Sequence, residues 1–363
     1  MSKRCALLVD GNWLLMSRQC MARKYFLTEN SQEQKQAGRA MTTDLMARSI
    51  CLALNRLDGI ADDIIIVRDG KSWRKDVTRP ASLHDEYKGT RKQDDNYDWK
   101  EIFGSLTDLE NGMRSCGATV SQLREAEGDD LIWWWSRKLN DEGENAIVWS
   151  SDNDLKQLVQ FNGKAWTAWW NEKNGLFVDK ELVNESLDDA VGFFLQDAYK
   201  TACIEEINRL SHAVKASPSA FDSASIIMEK IVCGDASDNI KSIVRTGTKP
   251  IRKVSPKMWE AIREELKINT LDDFFRRKEE IVMAFMKQKR FSGLKMTFSD
   301  CVEQFDYNTR MVWLDKSQYP EELVASMEGL VKEDFDVSTI KNNYRMMCGE
   351  DTNYIESVFD GIM

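Results

Sequence analysis

Four short apolar runs in the first half of the chain each end on, or lead into, a carboxylate, and no other feature restricts the fold so strongly. The runs are residues 5–9 (CALLV), 64–68 (IIIVR), 119–123 (TVSQL) and 146–149 (AIVW). Helical patterns lie between them at 42–56 and 129–139, the second with Leu131, Ile132, Trp135 and Leu139 on one face. Short apolar runs alternating with longer helical patterns predict an α/β fold: a mostly parallel central sheet flanked by helices. Asp10 closes the first run, Asp69 closes the second, and Asp152 closely follows the fourth. In a parallel sheet those ends share one edge, the edge where α/β proteins place ligands.

The second half reads differently. A hairpin is expected from 166–170 and 176–178, turning through Glu172, Lys173, Asn174 and Gly175. Helical periodicity then dominates 191–210 and 225–233, with a small-residue linker at 216–220 between them and a loop at 234–250. The expected division is therefore an α/β domain at 1–190, a mainly helical region at 191–300, and a C-terminal segment at 301–363 packing on that region. No internal repeat or low-complexity tract interrupts it.

Composition narrows the chemistry. Eight cysteines are scattered without a CxxC pair, as expected of reduced, buried thiols. Only two histidines are present, His84 and His212, which argues against Cys/His zinc sites and histidine-based catalysis. No run approaches the length of a membrane span. Asp10 and Asn12 interrupt the opening apolar residues and no small-residue cleavage site follows, so the expectation is a cytoplasmic chain without a leader or membrane contact. A net charge of −10 argues at first against nucleic acid, but nine acids that belong to one candidate metal site account for most of it.

Those nine are Asp10, Asp69, Glu127, Asp129, Asp130, Asp152, Asp154, Asp235 and Asp238. Glu127, Asp129 and Asp130 open the helix after the third run, and Asp235 and Asp238 lie in the later loop Gly-Asp-Ala-Ser-Asp-Asn. Singly, each also reads as a turn residue or a helix cap. Together they favour a metal site, because gathered carboxylates are costly unless cations neutralise them. Oxygen donors without cysteine or histidine select hard cations, Mg²⁺ or Mn²⁺. Two such ions can activate water and stabilise a phosphoryl displacement, which points to a phosphodiester substrate. Rival motifs fail on spacing. An EF-hand loop starting at Asp152 would have Lys156, Gln157 and Gly163 at its fifth, sixth and twelfth positions, and a P-loop ending at Gly70-Lys71-Ser72 would begin at Ile65.

Six motifs in order carry a resemblance: LLVDGNWLL at 7–15, IIIVRDG at 64–70, WRKD and EYKGTR between Trp73 and Arg91, EAEGDD at 125–130, SSDNDLKQL at 150–158, and CGDASDNI at 233–240. The chain resembles the flap endonuclease / 5′-3′ exonuclease family, particularly its bacteriophage RNase H branch. The resemblance implies a PIN-like α/β nuclease fold with a helical arch at 70–100 and a helix–three-turn–helix region. It implies two Mg²⁺ ions, with Mn²⁺ as a substitute. Asp10, Asp69, Glu127 and Asp129 would hold the first, with Asp130 alongside, and Asp152, Asp154, Asp235 and Asp238 would complete the second. The implied activity is phosphodiester hydrolysis at 5′ ends or single-strand/duplex junctions, removing RNA primers during phage DNA replication.

The basic stretch after the second run fits the arch. The resemblance gives Lys88 and Arg91 a catalytic role at the scissile phosphate. Arg74 and Lys75 are expected to bind nucleic acid, and Tyr87 to stack on a base. In the later loop, Lys241, Arg245 and Lys249 are expected to grip duplex backbone. Gly247 and Lys249 match the family pattern there, but the usual proline and preceding glycine are missing, which leaves a K⁺ site open. The tryptophan clusters, 133–135 and 169–170, are read as core. Expected partners are duplex DNA or an RNA–DNA hybrid with a 5′ end or flap, with a single-strand-binding protein or clamp as replication partners, and the chain is expected to be a monomer. Two alternatives stay open: a PIN-like ribonuclease, and a catalytically inactive junction-binding replication scaffold.

Overall fold

Strand β1 (Cys5–Asp10) buries its first five residues, as a central parallel strand covered on both faces must. Its neighbours β2 (Asp63–Val67) and β4 (Asn145–Trp149) are buried throughout. Both run parallel to β1, with Val9 opposite Ile66 on one side and Trp149 on the other. The short β3 (Thr119–Ser121) extends the parallel set beyond β2. On the far side of β4 lie β6 (Trp166–Asn171), β7 (Gly175–Asp179) and β8 (Pro218–Phe221), while β5 (Gln160–Phe161) pairs with β6. The sheet order is β3-β2-β1-β4-β6-β7-β8. The structure is a computed structural model describing residues 4–80, 87–89, 94–173, 175–183, 198–247, 251–333 and 335.

Helices α1 (Gly11–Ala22) and α2 (Gln32–Arg56) join β1 to β2, and α3 (Trp99–Ser115) leads into β3. Helix α4 (Gly128–Asp141) returns the chain to β4. The strand order therefore reverses between β1 and β4, and the carboxyl ends of these two strands flank the crevice where a ligand has most room.

Two compact units emerge: Met1–Lys71, Asp94–Phe221 and Ser326–Met363 form one, and Ser72–Gln93 with Asp222–Ala325 form the other. The first contains the sheet. Its core includes Leu7, Val9, Ile64, Ile66, Ile147 and Trp149. Trp133, Trp135, Trp169 and Trp170 are buried, as expected for most of the two clusters, while Trp134 is half-buried. The expected hairpin is present as β6 and β7, antiparallel with Trp170 opposite Leu176; Asn174 lies outside the described residues.

After β7 come α5 (Ala198–Val214) and then β8, parallel to β7. The stretch 216–220, read as a linker, thus contributes a strand: Pro218-Ser-Ala-Phe221 shows no alternation because it is a short edge strand of intermediate and exposed residues. The helix expected at 191–210 is described only from Ala198, and 191–197 lie outside the described residues. The helix expected at 42–56 starts earlier, at Gln32, where Ser31 and Gln34 form a capping box.

The last described residues also belong to the first unit. Lys332 lies 3.3 Å from Asp63 and 2.6 Å from Glu144, and the Glu333 amide donates to Thr119 Oγ1.

The second unit is helical: α6 (Ser223–Cys233), α7 (Pro256–Leu266), α8 (Leu271–Arg276), α9 (Lys278–Met286) and α10 (Phe298–Val312). They pack around Trp259, Phe274, Phe285 and Phe305. A polar network braces the loop after α6. Arg245 donates to Gln304 Oε1 (3.1 Å), Gln304 to Asn308 (2.7 Å), and Asn308 to the carbonyls of Ile231 and Lys241. Seven cysteines are described, and none of these forms a disulfide. Among the described residues no helix is long and apolar enough to cross a membrane.

Candidate metal-binding carboxylate site

Asp10 is both the last residue of the central strand and the N-cap of α1. Its Oδ1 accepts the Trp13 amide (2.8 Å), and its Oδ2 accepts the Ser150 hydroxyl (2.8 Å). Ser150 directly follows β4, is fully buried, and its Oγ accepts the Asp152 amide (3.0 Å). Asp152 in turn caps the 3₁₀ turn Asn153–Leu158 by accepting the Asp154 amide (2.9 Å). Leu155 and Leu158 fix that turn in the core. Lys156 sits over three aromatic rings, 4.3 Å from the centroid of Phe177, 4.8 Å from Trp169 and 6.0 Å from Phe221.

On the other side of β1, Asp69 follows β2 by two residues. Its amide donates to Asn12 Oδ1 (3.1 Å), and its Oδ1 accepts the Gly128 amide (2.5 Å) at the start of α4. Glycine suits that contact, since a Cβ at 128 would stand 2.8 Å from Asp69 Oδ1 and the carboxylate would have to shift. Because β3 pairs with β2, the chain leaving β3 brings the α4 N-terminus to the end of β2. Glu127 is the N-cap of this helix, and Asp130, fully buried, accepts the Glu127 amide (3.0 Å) in a capping box. Asp129 is half-buried in the first turn.

The electrostatics match the placement. Burial pushes the Asp10 carboxyl up to about 7, and the charges of Asp69 and Asp152 add to the rise against the Trp13 amide and the Ser150 hydroxyl. A nearby positive charge would favour the ionised form of Asp10 at neutral pH. The donors are all oxygen, the set that suits a hard divalent cation. Among the described residues, no three acidic, cysteine or histidine side chains converge closely enough to hold a metal ion as they stand. The fit to a metal thus rests on donor chemistry and on the cost of the ionised Asp10.

The remaining expected site residues belong to the second unit. Gly234, with φ 76°, turns the chain into a loop closed by mutual hydrogen bonds between Asp235 and Ile240; a Cβ at 234 would lie 2.5 Å from the Ile240 carbonyl. Asp235 pairs with Lys230 (2.7 Å) and accepts from Ser237. Burial works to raise its pKa, but these partners outweigh it and hold the carboxyl at about 2. Asp238 Oδ2 accepts the Tyr87 hydroxyl (3.1 Å) and lies 3.8 Å from the Lys88 ammonium. The Lys88 amide donates to the Asp238 carbonyl, with Lys88 at φ 53°.

Two of the residues expected to contact nucleic acid are largely buried. Tyr87 is 7% exposed and packs in the helical core, with its remaining surface lining a small cleft. Arg74 is 2% exposed, donates Nε to the Met311 carbonyl (3.0 Å), lies over the Trp73 ring and lines the same cleft. Lys75 is exposed and lines that cleft, of about 230 Å³, with Arg79. Lys241 is half-buried and donates to Asn239 Oδ1 (2.6 Å), while Arg245 is engaged by the network of α10. Arg91 and Lys249 lie outside the described residues.

Sequence reasoning passed over Ser150, Asn12 and Gly128. The signal for each was its place within an acid-bearing motif, one to three residues from a carboxylate.

Residues 5–188 match the family model for the 5′-3′ exonuclease N-terminal, resolvase-like domain. The chain belongs to the 5′-3′ exonuclease family. Among solved structures it is similar to the bacteriophage T5 flap endonuclease in a pseudo-enzyme-product complex with DNA and metal ions. That alignment has 14% identity and a TM-score of 0.52, covering 95% of this chain and 100% of that one. A T5 protein co-crystallised with metal ions aligns at 14% identity and a TM-score of 0.50, covering 95% and 98%. Those likenesses show that this member of the 5′-3′ exonuclease family shares their fold. No curated protein matches the chain.

Proposed function

We propose that the chain is a Mg²⁺-dependent 5′ nuclease that hydrolyses phosphodiester bonds at 5′ ends or single-strand/duplex junctions, with RNA-primer removal in phage replication as its task. The observation that carries the reading is Asp10: a carboxylate at the carboxyl end of the central strand, beside the reversal of strand order, raised by burial and by the charges of Asp69 and Asp152. A fold has little reason to concentrate such acids unless a cation binds there.

Asp10, Asp69, Glu127 and Asp129 would hold one cation, and Asp152 and Asp154 would contribute to a second. Asp235 and Asp238 are assigned to the second on the family resemblance alone. When bound, two divalent cations supply water activation and neutralise charge on the phosphodiester oxygens. The chain's own residues set the donors. The Trp13 amide and Ser150 hydroxyl fix the orientation of Asp10, and the Gly128 amide fixes Asp69. Asp130 shapes the first turn of α4 from beneath. Lys88 and Arg91 would meet the phosphate that is cut. The first unit would carry the chemistry and the helical unit would grip duplex.

Cleavage of three 5′-labelled duplexes tests the reading: a nicked RNA–DNA hybrid, nicked DNA and a 5′ flap, each with Mg²⁺ and with chelator. Short 5′ products from the nicked substrates support primer removal, and release of a whole flap supports junction cleavage. Binding without cleavage of any substrate would overturn the proposal in favour of a junction-binding scaffold.

A further inference from the structure

With Asp10 ionised, the polarity of the hydrogen bonds at Ser150 is fixed by which groups can donate. A backbone amide can only donate, so the Asp152 N–H uses a lone pair of Ser150 Oγ, at 3.0 Å. The single hydroxyl proton is then free to go to Asp10 Oδ2, at 2.8 Å. Ser150 stands one residue beyond the register pair Val9–Trp149, so it lies beside Asp10 across the β1–β4 boundary. Its own amide donates to the Trp170 carbonyl (3.3 Å), tying it to β6 as well. The chain of bonds continues through Asp152 Oδ1, which accepts the Asp154 amide (2.9 Å). One fully buried hydroxyl therefore links the acid on the central strand to the turn bearing the other two. Such chains polarise one another and hold their members in one geometry.

We propose that Ser150 is a positioning residue for the metal site, setting the spacing between Asp10 and the Asp152–Asp154 turn through its buried hydroxyl. The inference rests on the nuclease reading above. Residues that orient metal ligands commonly change affinity by about 10- to 100-fold when removed. Ser150→Ala takes away both the donor to Asp10 and the acceptor for Asp152 without adding bulk. Ser150→Thr retains both.

Two measurements on the full chain test this. The first uses no metal: hydrogen–deuterium exchange of the peptide spanning 150–158 should be faster in Ser150→Ala and near wild type in Ser150→Thr. The second is Mn²⁺ binding without substrate, followed by the loss of the free-ion electron paramagnetic signal. Ser150→Ala should bind at least about tenfold more weakly, with Ser150→Thr recovering most of the affinity. Wild-type Mn²⁺ affinity in a folded Ser150→Ala protein would overturn the positioning role. Should Ser150→Ala fail to fold, Ser150→Cys, of similar size and a weak hydrogen-bonder, gives the same comparison. Failure of the nuclease reading is distinguishable, because then wild type and Asp154→Asn would bind Mn²⁺ equally or not at all.

Discussion

The Gly128 amide donates to Asp69 Oδ1 at 2.5 Å, tying the start of α4 to the acid at the end of β2. The helix N-terminus favours the negative charge, and the absence of a side chain permits the approach. Gly128→Ala would put a methyl carbon 2.8 Å from that oxygen. Urea unfolding should show a loss of about 1–3 kcal/mol, the usual cost of overpacking. Cleavage should fall further than stability does, because Asp69 must move.

Asp10 links pH to stability. Burial, with Asp69 and Asp152 adding to it, holds this carboxyl at about 7. The folded chain therefore binds this proton more tightly than the unfolded chain. The group's contribution is most favourable below about 4 and is lost as pH rises through about 7. In chelator at pH 8, Asp10→Asn should be more stable than wild type by roughly 2–4 kcal/mol, and at pH 5 the difference should shrink. Saturating Mg²⁺ should raise the wild-type Tm alone. Urea midpoints at the two pH values check the sign.

Much of this site was legible in the sequence because strands buried on both faces produce continuous apolar runs, and Asp10 and Asp69 directly punctuate two of them. The spacing of Glu127 and Asp130 also announced a helix start. Burial was harder to read. Arg74 and Tyr87 sit in a basic stretch that looks solvent-facing, yet tertiary packing of the helical unit covers both. Pro218–Phe221 lacks a strand pattern because an edge strand with one neighbour needs little apolar surface. Ser150 escaped notice because a serine's role depends on which groups tertiary structure brings within 3 Å.

Lys156 closes an aromatic cage of Phe177, Trp169 and Phe221 beneath the turn carrying Asp152 and Asp154. Lys156→Ala should cost about 1–2 kcal/mol in urea unfolding, through lost cation–π attraction and lost packing of the stem. Lys156→Arg should recover part of that. Equal stability of all three proteins would show that the cage contributes nothing.

Lys332 lies between Asp63 and Glu144, its side chain 18% exposed. Removing it leaves two largely buried carboxylates facing each other, so Lys332→Met should destabilise the chain by about 2–4 kcal/mol at pH 8. Burial already raises the Asp63 carboxyl against the opposing pull of Lys332. Without the lysine the Asp63 pKa rises further, and the mutant's deficit should shrink as pH falls and Asp63 takes up its proton. Thermal melts from pH 8 to pH 4.5 measure it.

The most direct test of the metal-dependent nuclease assignment is single-turnover cleavage of a 5′-flap duplex in Mg²⁺ by wild type and Asp10→Asn, with circular dichroism confirming equal folding. The account predicts that the substitution reduces cleavage to the level seen in chelator while the protein stays folded. Wild-type rates from a folded Asp10→Asn protein would contradict it.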